Sequence, residues 1–165
     1  MAAGYVNWSE KGYGLVMALR AAGISQEHRE GGTWVSDVER AQQIIDAYDP
    51  LPEIRTAKWG DIQAERERRK ESGVMVQGHR IHSDDSSRVQ QLALVMMGQA
   101  MPAGIQWKTM DGTFVEMTPA LAQAIFKAEA AWDMAVFAAA ETHRLAMEAS
   151  ADPVNYDFSG GWPGD

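Results

Sequence analysis

The sequence predicts an α+β fold that is mainly helical: a small N-terminal α-β-β-α unit, then a helix, a hairpin, a helix, a second hairpin and a long C-terminal helix. Apolar residues recur at helical spacing in several segments, and short alternating segments flank glycine-containing turns. The longest periodic segment begins with Thr118 and Pro119, a strong helix start because Thr caps free N–H groups and Pro fits the first turn. With 165 residues, 45% of them hydrophobic, the chain can form one domain or two small ones.

The N-terminal α-β-β-α module is predicted over residues 1–49. Residues 9–22 carry an apolar stripe with Ser9 in the N-cap position, which predicts a short helix that Gly23 ends. A Gly-Gly pair then lies between two short extended segments and favours a hairpin. Ser36 or Asp37 is placed to cap a second helix. A unit this small buries little apolar surface, so we expect it to depend on a partner or on the rest of the chain.

A linker is predicted over residues 50–57. Pro50 and Pro52 end the preceding helix and favour extended backbone. A second domain, residues 58–165, is then expected to begin at Lys58.

The second domain has a regular order of patterns. A polar helix follows Lys58, and VMVQGHRIHSD alternates across a Gln-Gly pair as a small hairpin does. Residues 84–99 predict an amphipathic helix, and Asp-Gly in IQWKTMDGTFVEM predicts a tight type I′ hairpin turn. The long helix is expected from Pro119 to about Ala149. The predicted apolar face of the amphipathic helix comprises Val89, Leu92, Ala93 and Met96.

The long helix carries apolar residues on two faces. Leu121, Ile125 and Trp132 keep to one stripe, whereas Phe137 adds apolar bulk elsewhere. A helix with two apolar faces must pack against more than one neighbour. The aromatic tail beyond it, which includes Trp162, is expected to dock on a surface of this chain or of a partner. These five residues are therefore predicted partner or self-association contacts in a homo-oligomer.

The stretch GHRIHSDDSSR holds the densest group of ligand-type side chains, with two histidines three apart and two aspartates. On a strand, His79 and His82 point to opposite faces, which is a poor arrangement for a chelate. Asp84 and Asp85 stand where a helix needs an N-cap. The favoured interpretation is a structural strand-to-helix joint; a metal-binding or enzymatic module built on His79 and His82 is a further hypothesis.

Composition and motifs argue against several classes of function. A formal net charge of −8 disfavours nucleic-acid binding, and a chain without cysteine has no disulfide or thiol chemistry. No glycine-rich phosphate loop, nucleophile elbow or zinc-protease motif occurs. The first residues do not form a signal peptide, and no apolar run reaches the length of a membrane span. We therefore expect no enzyme activity, no cofactor and no membrane span.

Residues from about Trp59 to Pro163 resemble a phage and prophage domain of uncharacterised function that commonly ends tail and tail-fibre-associated proteins. The resemblance is carried by the order of KWGDIQAERERRKESG, GHRIHSD, SSR, IQWKTMDGTFVEMT, the alanine-rich helix and GGWP. The N-terminal part also resembles short modules of small phage tail proteins. The family has no established catalytic residues to carry over, and its recurrent positions here, His79, Asp84 and Arg88, imply a structural joint between a strand and a helix.

The resemblance implies a structural protein of a tailed-phage virion, encoded near the tail-fibre genes. We expect it at the tail tip, baseplate or tail-fibre attachment point, made in the bacterial cytoplasm and bound to tail or tail-fibre proteins. The alternative is a tail-fibre assembly chaperone that is absent from the mature virion.

Overall fold

The computed structural model describes residues 2–7 and 11–165. The chain divides into two compact units, Met1–Ala57 and Lys58–Asp165. Their secondary structure confirms the predicted α+β, mainly helical fold with a long C-terminal helix. Within the described ranges, no helix combines the length and the apolarity that a membrane crossing requires.

The first unit contains a three-stranded antiparallel sheet whose strands lie in the order β1 (Gly4–Val6), β3 (Gly32–Val35) and β2 (Gln26–Arg29). One strand, β1, was not predicted, because three residues carry no periodic signal and its pairing with β3 defines it. The predicted cap Ser9 lies outside the described residues. The elements are β1 (Gly4–Val6), α1 (Gly12–Ala21), β2 (Gln26–Arg29), β3 (Gly32–Val35) and α2 (Val38–Ala47).

Both helices of this unit pack on the sheet through apolar residues. Leu15 and Leu19 of α1 join Val35 of β3 and Ile45 of α2 in one buried cluster. Asp37 caps α2, since its side chain accepts a hydrogen bond from the Arg40 N–H at 3.3 Å. The hairpin and the cap follow the sequence pattern.

The predicted linker over residues 50–57 is wrong as an extended segment, because helix α3 spans Leu51–Lys70. Pro52 occupies the second helical position, where a backbone N–H has no acceptor within the helix. Proline, which lacks an N–H, therefore breaks no helical hydrogen bond there. The Asp49 side chain accepts from the Leu51 N–H at 2.9 Å. The boundary between the two units falls inside α3.

The second unit continues from Lys58 of α3 through two hairpins and two helices. Its two sheets are separate two-stranded hairpins, one of β4 (Val74–Val76) and β5 (His79–Ile81), the other of β6 (Gln106–Lys108) and β7 (Phe114–Glu116). A short 3-10 helix, Gly98–Ala100, follows helix α4 (Asp85–Met97). The elements are β4 (Val74–Val76), β5 (His79–Ile81), α4 (Asp85–Met97), β6 (Gln106–Lys108), β7 (Phe114–Glu116) and α5 (Pro119–Ala149).

The tight turn lies in the first hairpin rather than the second. Gln77 and Gly78 have φ of 52° and 84° between paired Val76 and His79, which fits a two-residue type I′ turn. In the second hairpin the strands end at Lys108↔Phe114, leaving residues 109–113 as the loop. The predicted type I′ turn at Asp111-Gly112 is therefore wrong.

Asp111 explains the wider loop. Its carboxylate accepts hydrogen bonds from the Thr109 hydroxyl, and from the N–H and hydroxyl of Thr113 at 3.1 and 2.8 Å. The Thr109 hydrogen bond, followed by those of Thr113, lowers the pKa of Asp111 to about 2. A turn residue whose side chain binds its own loop favours that loop over a two-residue turn.

The long helix α5 has the predicted bounds and forms the centre of the second unit. Thr118 caps it by accepting from the Leu121 N–H at 3.1 Å. Its N-terminal half packs against β4, β5 and Met117, and its C-terminal half against Ile62 of α3 and the tail. Both apolar stretches of α5 thus contribute to the core of this chain.

Candidate functional site

Arg88 holds together three segments at the start of α4. Its guanidinium donates to both carboxylate oxygens of Asp133 on α5, at 2.7 and 2.9 Å. It also donates to the carbonyl oxygens of Ser83 and Lys70, at 2.5 and 3.3 Å. Such paired charge-assisted bonds fix orientation as well as position. Arg88 therefore joins α4 to α5 and to the end of α3.

Asp84 caps α4 at the same junction. Its carboxylate accepts from the N–H of Ser87 at 3.0 Å and from the Ser87 hydroxyl at 2.6 Å. The Ser87 hydroxyl, and then its N–H, lower the pKa of Asp84 below its ordinary value. Ser83, one residue earlier, is buried and bridges the Gly73 N–H and the Lys70 carbonyl. Hydrogen bonds of Ser83 and Asp84 therefore fix the connection between β5 and α4.

Replacing Asp84 with alanine is expected to lower the free energy of unfolding by about 1 kcal/mol, because two donors of Ser87 lose their acceptor. Urea denaturation near neutral pH would measure it. Asp85→Ala is the matched control, since Asp85 is exposed in the first turn and not the cap. Equal losses in the two variants would show that charge near the helix dipole matters and capping does not.

The two histidines of this stretch do not form a recognisable metal site. His79 is half-buried opposite Val76, and the backbone carbonyl of His82 accepts from the Gln91 side chain at 2.8 Å. No three His, Asp or Glu side chains of the described ranges come together as a group that could hold a metal ion. His79 therefore lies at the turn end of the first hairpin, whereas Asp84 and Arg88 form the joint beyond the other end of β5, which corrects the prediction of His79 as part of the joint.

Glu129 is the unexpected residue of the junction. It lies one turn before Asp133 on α5, is 5% exposed, and has an Oε1 without a partner among the described residues. Burial raises its pKa to about 7, and Arg88 opposes this while Asp133 and Asp84 add to it. No sequence pattern marked Glu129, because a glutamate in an alanine-rich helix is ordinarily solvent-exposed.

The predicted partner contacts Leu121, Ile125 and Trp162 are buried within this chain, so their prediction as surface contacts is corrected. Leu121 and Ile125 form the core under the hairpins, and Trp162 packs on α3 and α5. The apolar residues of α5 suggested that a partner covers them. Instead, neighbouring elements of the same chain bury these three residues.

Trp132 and Phe137 differ from those three. Trp132 is half-buried and donates its Nε1–H to the Arg69 carbonyl at 2.9 Å. Phe137 is exposed on α5, with the Arg66 guanidinium 4.4 Å above its ring. Of the five predicted contacts, only Phe137 is exposed.

The aromatic tail docks on its own chain. Trp162 donates its Nε1–H to the Phe158 carbonyl at 2.7 Å, and its ring lies 5.0 Å from that of His143. Tyr156 shares a 2.9 Å hydrogen bond with His143 Nδ1. Asp165 pairs with Arg69 of α3 at 2.7 Å. These contacts fasten the last residues across α3 and α5.

The predicted apolar face of α4 points outward. Val89, Leu92, Ala93 and Met96, here called the outer stripe, are all exposed, with Val89 at 69% and Met96 at 80%. The inward face instead carries Arg88 and buried Gln91, with half-buried Leu94 and Val95. Polar bonds to α5 and to the hairpin hold α4 in this rotation.

A groove lies beside the outer stripe. It has a volume of about 630 Å³ between α4 and β6, with Gln90, Ala93 and Leu94 on one side and Ile105 and Trp107 on the other. Both walls carry apolar residues, and four further polar residues line the groove: His82, Ser87, Gln106 and Lys108. The outer stripe and this groove are contiguous through Ala93 and form the candidate protein-binding surface.

One protein family matches the chain: residues 53–160 match the domain of unknown function DUF4376. No curated protein and no solved structure is significantly similar to the chain.

Proposed function

The chain belongs to the DUF4376 domain family, and we propose that it is a structural component of a tailed-phage virion that acts by protein–protein assembly. The proposed position is the tail tip, baseplate or tail-fibre attachment point, reached after synthesis in the host cytoplasm. Support comes from the order of motifs from Trp59 to Pro163, which resembles domains at the ends of tail and tail-fibre-associated proteins. The proposed activity is binding, without catalysis and without a cofactor.

The outer stripe is the structural observation that supports protein–protein binding as the activity. Four apolar residues at helical spacing lie exposed on α4 next to a groove whose two walls carry Leu94 and Trp107. Contiguous exposed apolar surface of this kind marks protein–protein contact sites. Exposed methionine at its end suits a binding surface because the thioether adapts its shape to a partner. The proposed occupant is an apolar segment of a tail or tail-fibre protein.

The charges of the chain favour the same class of partner. The outer stripe has no cationic residue, and Arg88, the only cation of α4, is turned inward to Asp133. A net charge of −8 opposes docking on phosphate backbones. An uncharged stripe in an acidic chain is suited to an apolar protein surface.

Introducing negative charges into the outer stripe is expected to weaken binding to the tail or tail-fibre protein while leaving the stability of the fold nearly unchanged. In a Val89→Glu/Met96→Glu variant, two exposed side chains gain charges that a partner would have to desolvate. The free energy of unfolding should move by no more than about 1 kcal/mol, as for exposed sites. Co-purification with the neighbouring tail and tail-fibre proteins, expressed together, should fall at least about tenfold.

Met134→Glu/Leu145→Glu is the matched control, because both residues are exposed apolar side chains on α5. It should co-purify as the wild type does. Loss of binding in the control alone would move the interface to α5. Retained binding in both variants would contradict the proposal.

The mature virion distinguishes the proposed component from an assembly chaperone. Quantitative mass spectrometry of purified virions should find this chain in fixed ratio to the tail proteins. Its absence from virions, together with co-purification on free fibre, would establish the chaperone instead. The mass of the purified chain in solution tests the homo-oligomer that the sequence predicts, and a monomer at micromolar concentration would contradict that prediction.

A further inference from the structure

Two buried acceptors lie in the α4–α5 junction without a donor. Glu129 Oε1 of α5 and Gln91 Oε1 of α4 both lack a hydrogen-bond partner within the described part of the chain. Both residues are buried. Buried acceptors in native proteins are nearly always satisfied, so two in one junction require an explanation. The proposed function uses neither of them.

The packing of the two helices places these acceptors at the same level. Arg88 of α4 pairs with Asp133 of α5, whereas Val95, farther along α4, packs in the cluster that holds Ile125. The helices therefore run antiparallel. Gln91 is one turn after Arg88, and Glu129 is one turn before Asp133. In an antiparallel pair these positions meet.

The orientation of the Gln91 amide determines which group can donate a hydrogen bond to its Oε1. Its Nε2 donates to the His82 carbonyl at 2.8 Å, so its Oε1 faces away as an acceptor. A carboxylate opposite it offers only acceptors, but a carboxylic acid carries one O–H donor. We propose that Glu129 is protonated in the folded chain and donates a hydrogen bond to Gln91, forming a proton-dependent latch between α4 and α5.

The charges around Glu129 are consistent with this state. Arg88 faces it from α4 but is bound to both oxygens of Asp133, while Asp133 and Asp84 repel a second negative charge. The strand β4, which also packs on α5, has no titratable side chain. Burial, the largest influence, raises the pKa of Glu129 from 4.5 to about 7.

The direction of the pH effect follows from the raised pKa. A group that binds its proton more tightly in the folded state stabilises that state fully below its unfolded pKa. This contribution is lost as pH rises from 4.5 to about 7. The latch is therefore closed in mildly acidic solution and opens above neutrality, loosening α4. The latch lies within the α4–α5 junction and is independent of what binds the outer stripe.

Two measurements on the full-length chain test the latch. The ¹³C signal of the Glu129 carboxyl, followed by NMR through a pH titration, should have its midpoint at about 7. Hydrogen exchange of α4 amides, corrected for intrinsic rates, should show protection falling at least about tenfold between about pH 5.5 and about pH 8.5. Glu129→Gln should abolish that fall, because its amide donates at every pH.

Glu71→Gln is the matched control, since Glu71 is exposed just after α3. It should keep the wild-type fall in protection. A Glu129 midpoint near 4.5, the ordinary value, would overturn the proposal whether or not the variant folds. An equal fall in Glu129→Gln and in the wild type would also overturn it.

Discussion

Replacing Ile125 with alanine is expected to lower the free energy of unfolding by about 2–5 kcal/mol. The side chain is 0% exposed, in the cluster where α5 packs against β4 and β5. Truncation removes apolar contacts and leaves a cavity that the surrounding strands fill only in part. Urea denaturation of the purified chain, followed by circular dichroism, would measure the loss.

Phe126→Ala is the matched control for Ile125→Ala, because Phe126 is the next residue of the same helix and is 46% exposed. Its replacement should change the free energy of unfolding by less than about 1 kcal/mol. The pair also tests the sequence-based expectation that Ile125 contacts a partner. An Ile125→Ala variant of unchanged stability that breaks an oligomer would support that expectation against burial in the core.

Trp162→Ala is expected to lower the free energy of unfolding by about 3–5 kcal/mol and to release the C-terminal tail. Trp162 is 4% exposed and packs with Ile62, Val136 and Met147. The Arg69 guanidinium lies 5.1 Å from its ring, and its Nε1–H binds the Phe158 carbonyl. Without the indole, Phe158 and Tyr156 lose the surface that holds them. Urea denaturation would measure the loss, and limited proteolysis should cut the variant's tail much faster.

Val154→Ala is the control for the tail, because Val154 is in the same segment and is exposed. It should retain wild-type stability and resistance to proteolysis. If Trp162→Ala kept the wild-type unfolding curve and tail protection, the docking of the tail would contribute nothing to the fold.

Much of the local structure followed from the sequence. Thr118 and Pro119 predicted the start of α5, and Asp37 and Asp84 predicted caps, because capping depends on a few adjacent residues. The predicted linker failed because two prolines carry the same signal before a helix and within its first turn. Asp111-Gly112 failed because side-chain bonds of Asp111 favour a longer loop.

The candidate site was only half visible in the sequence. The sequence predicted the outer stripe as one face of a helix. Residue spacing identifies such a face but does not show whether it points to the core or to solvent. Arg88 holds the rotation of α4 through a bond to distant Asp133, and Gln91 through a bond to the His82 carbonyl. Glu129 was missed because its burial depends on Arg88 and α4 packing over it.

The sequence by itself determined the fold class, the positions of most helices and strands, how α2, α4 and α5 are capped, and that α5 carries apolar residues on two faces. Those properties depend on neighbours within about one helical turn or one hairpin. Only the tertiary structure decided that Leu121, Ile125 and Trp162 are core, that the stripe of α4 faces outward, and that Glu129 is buried. Burial depends on which distant segments meet, and polar bonds between those segments can turn an apolar face to solvent.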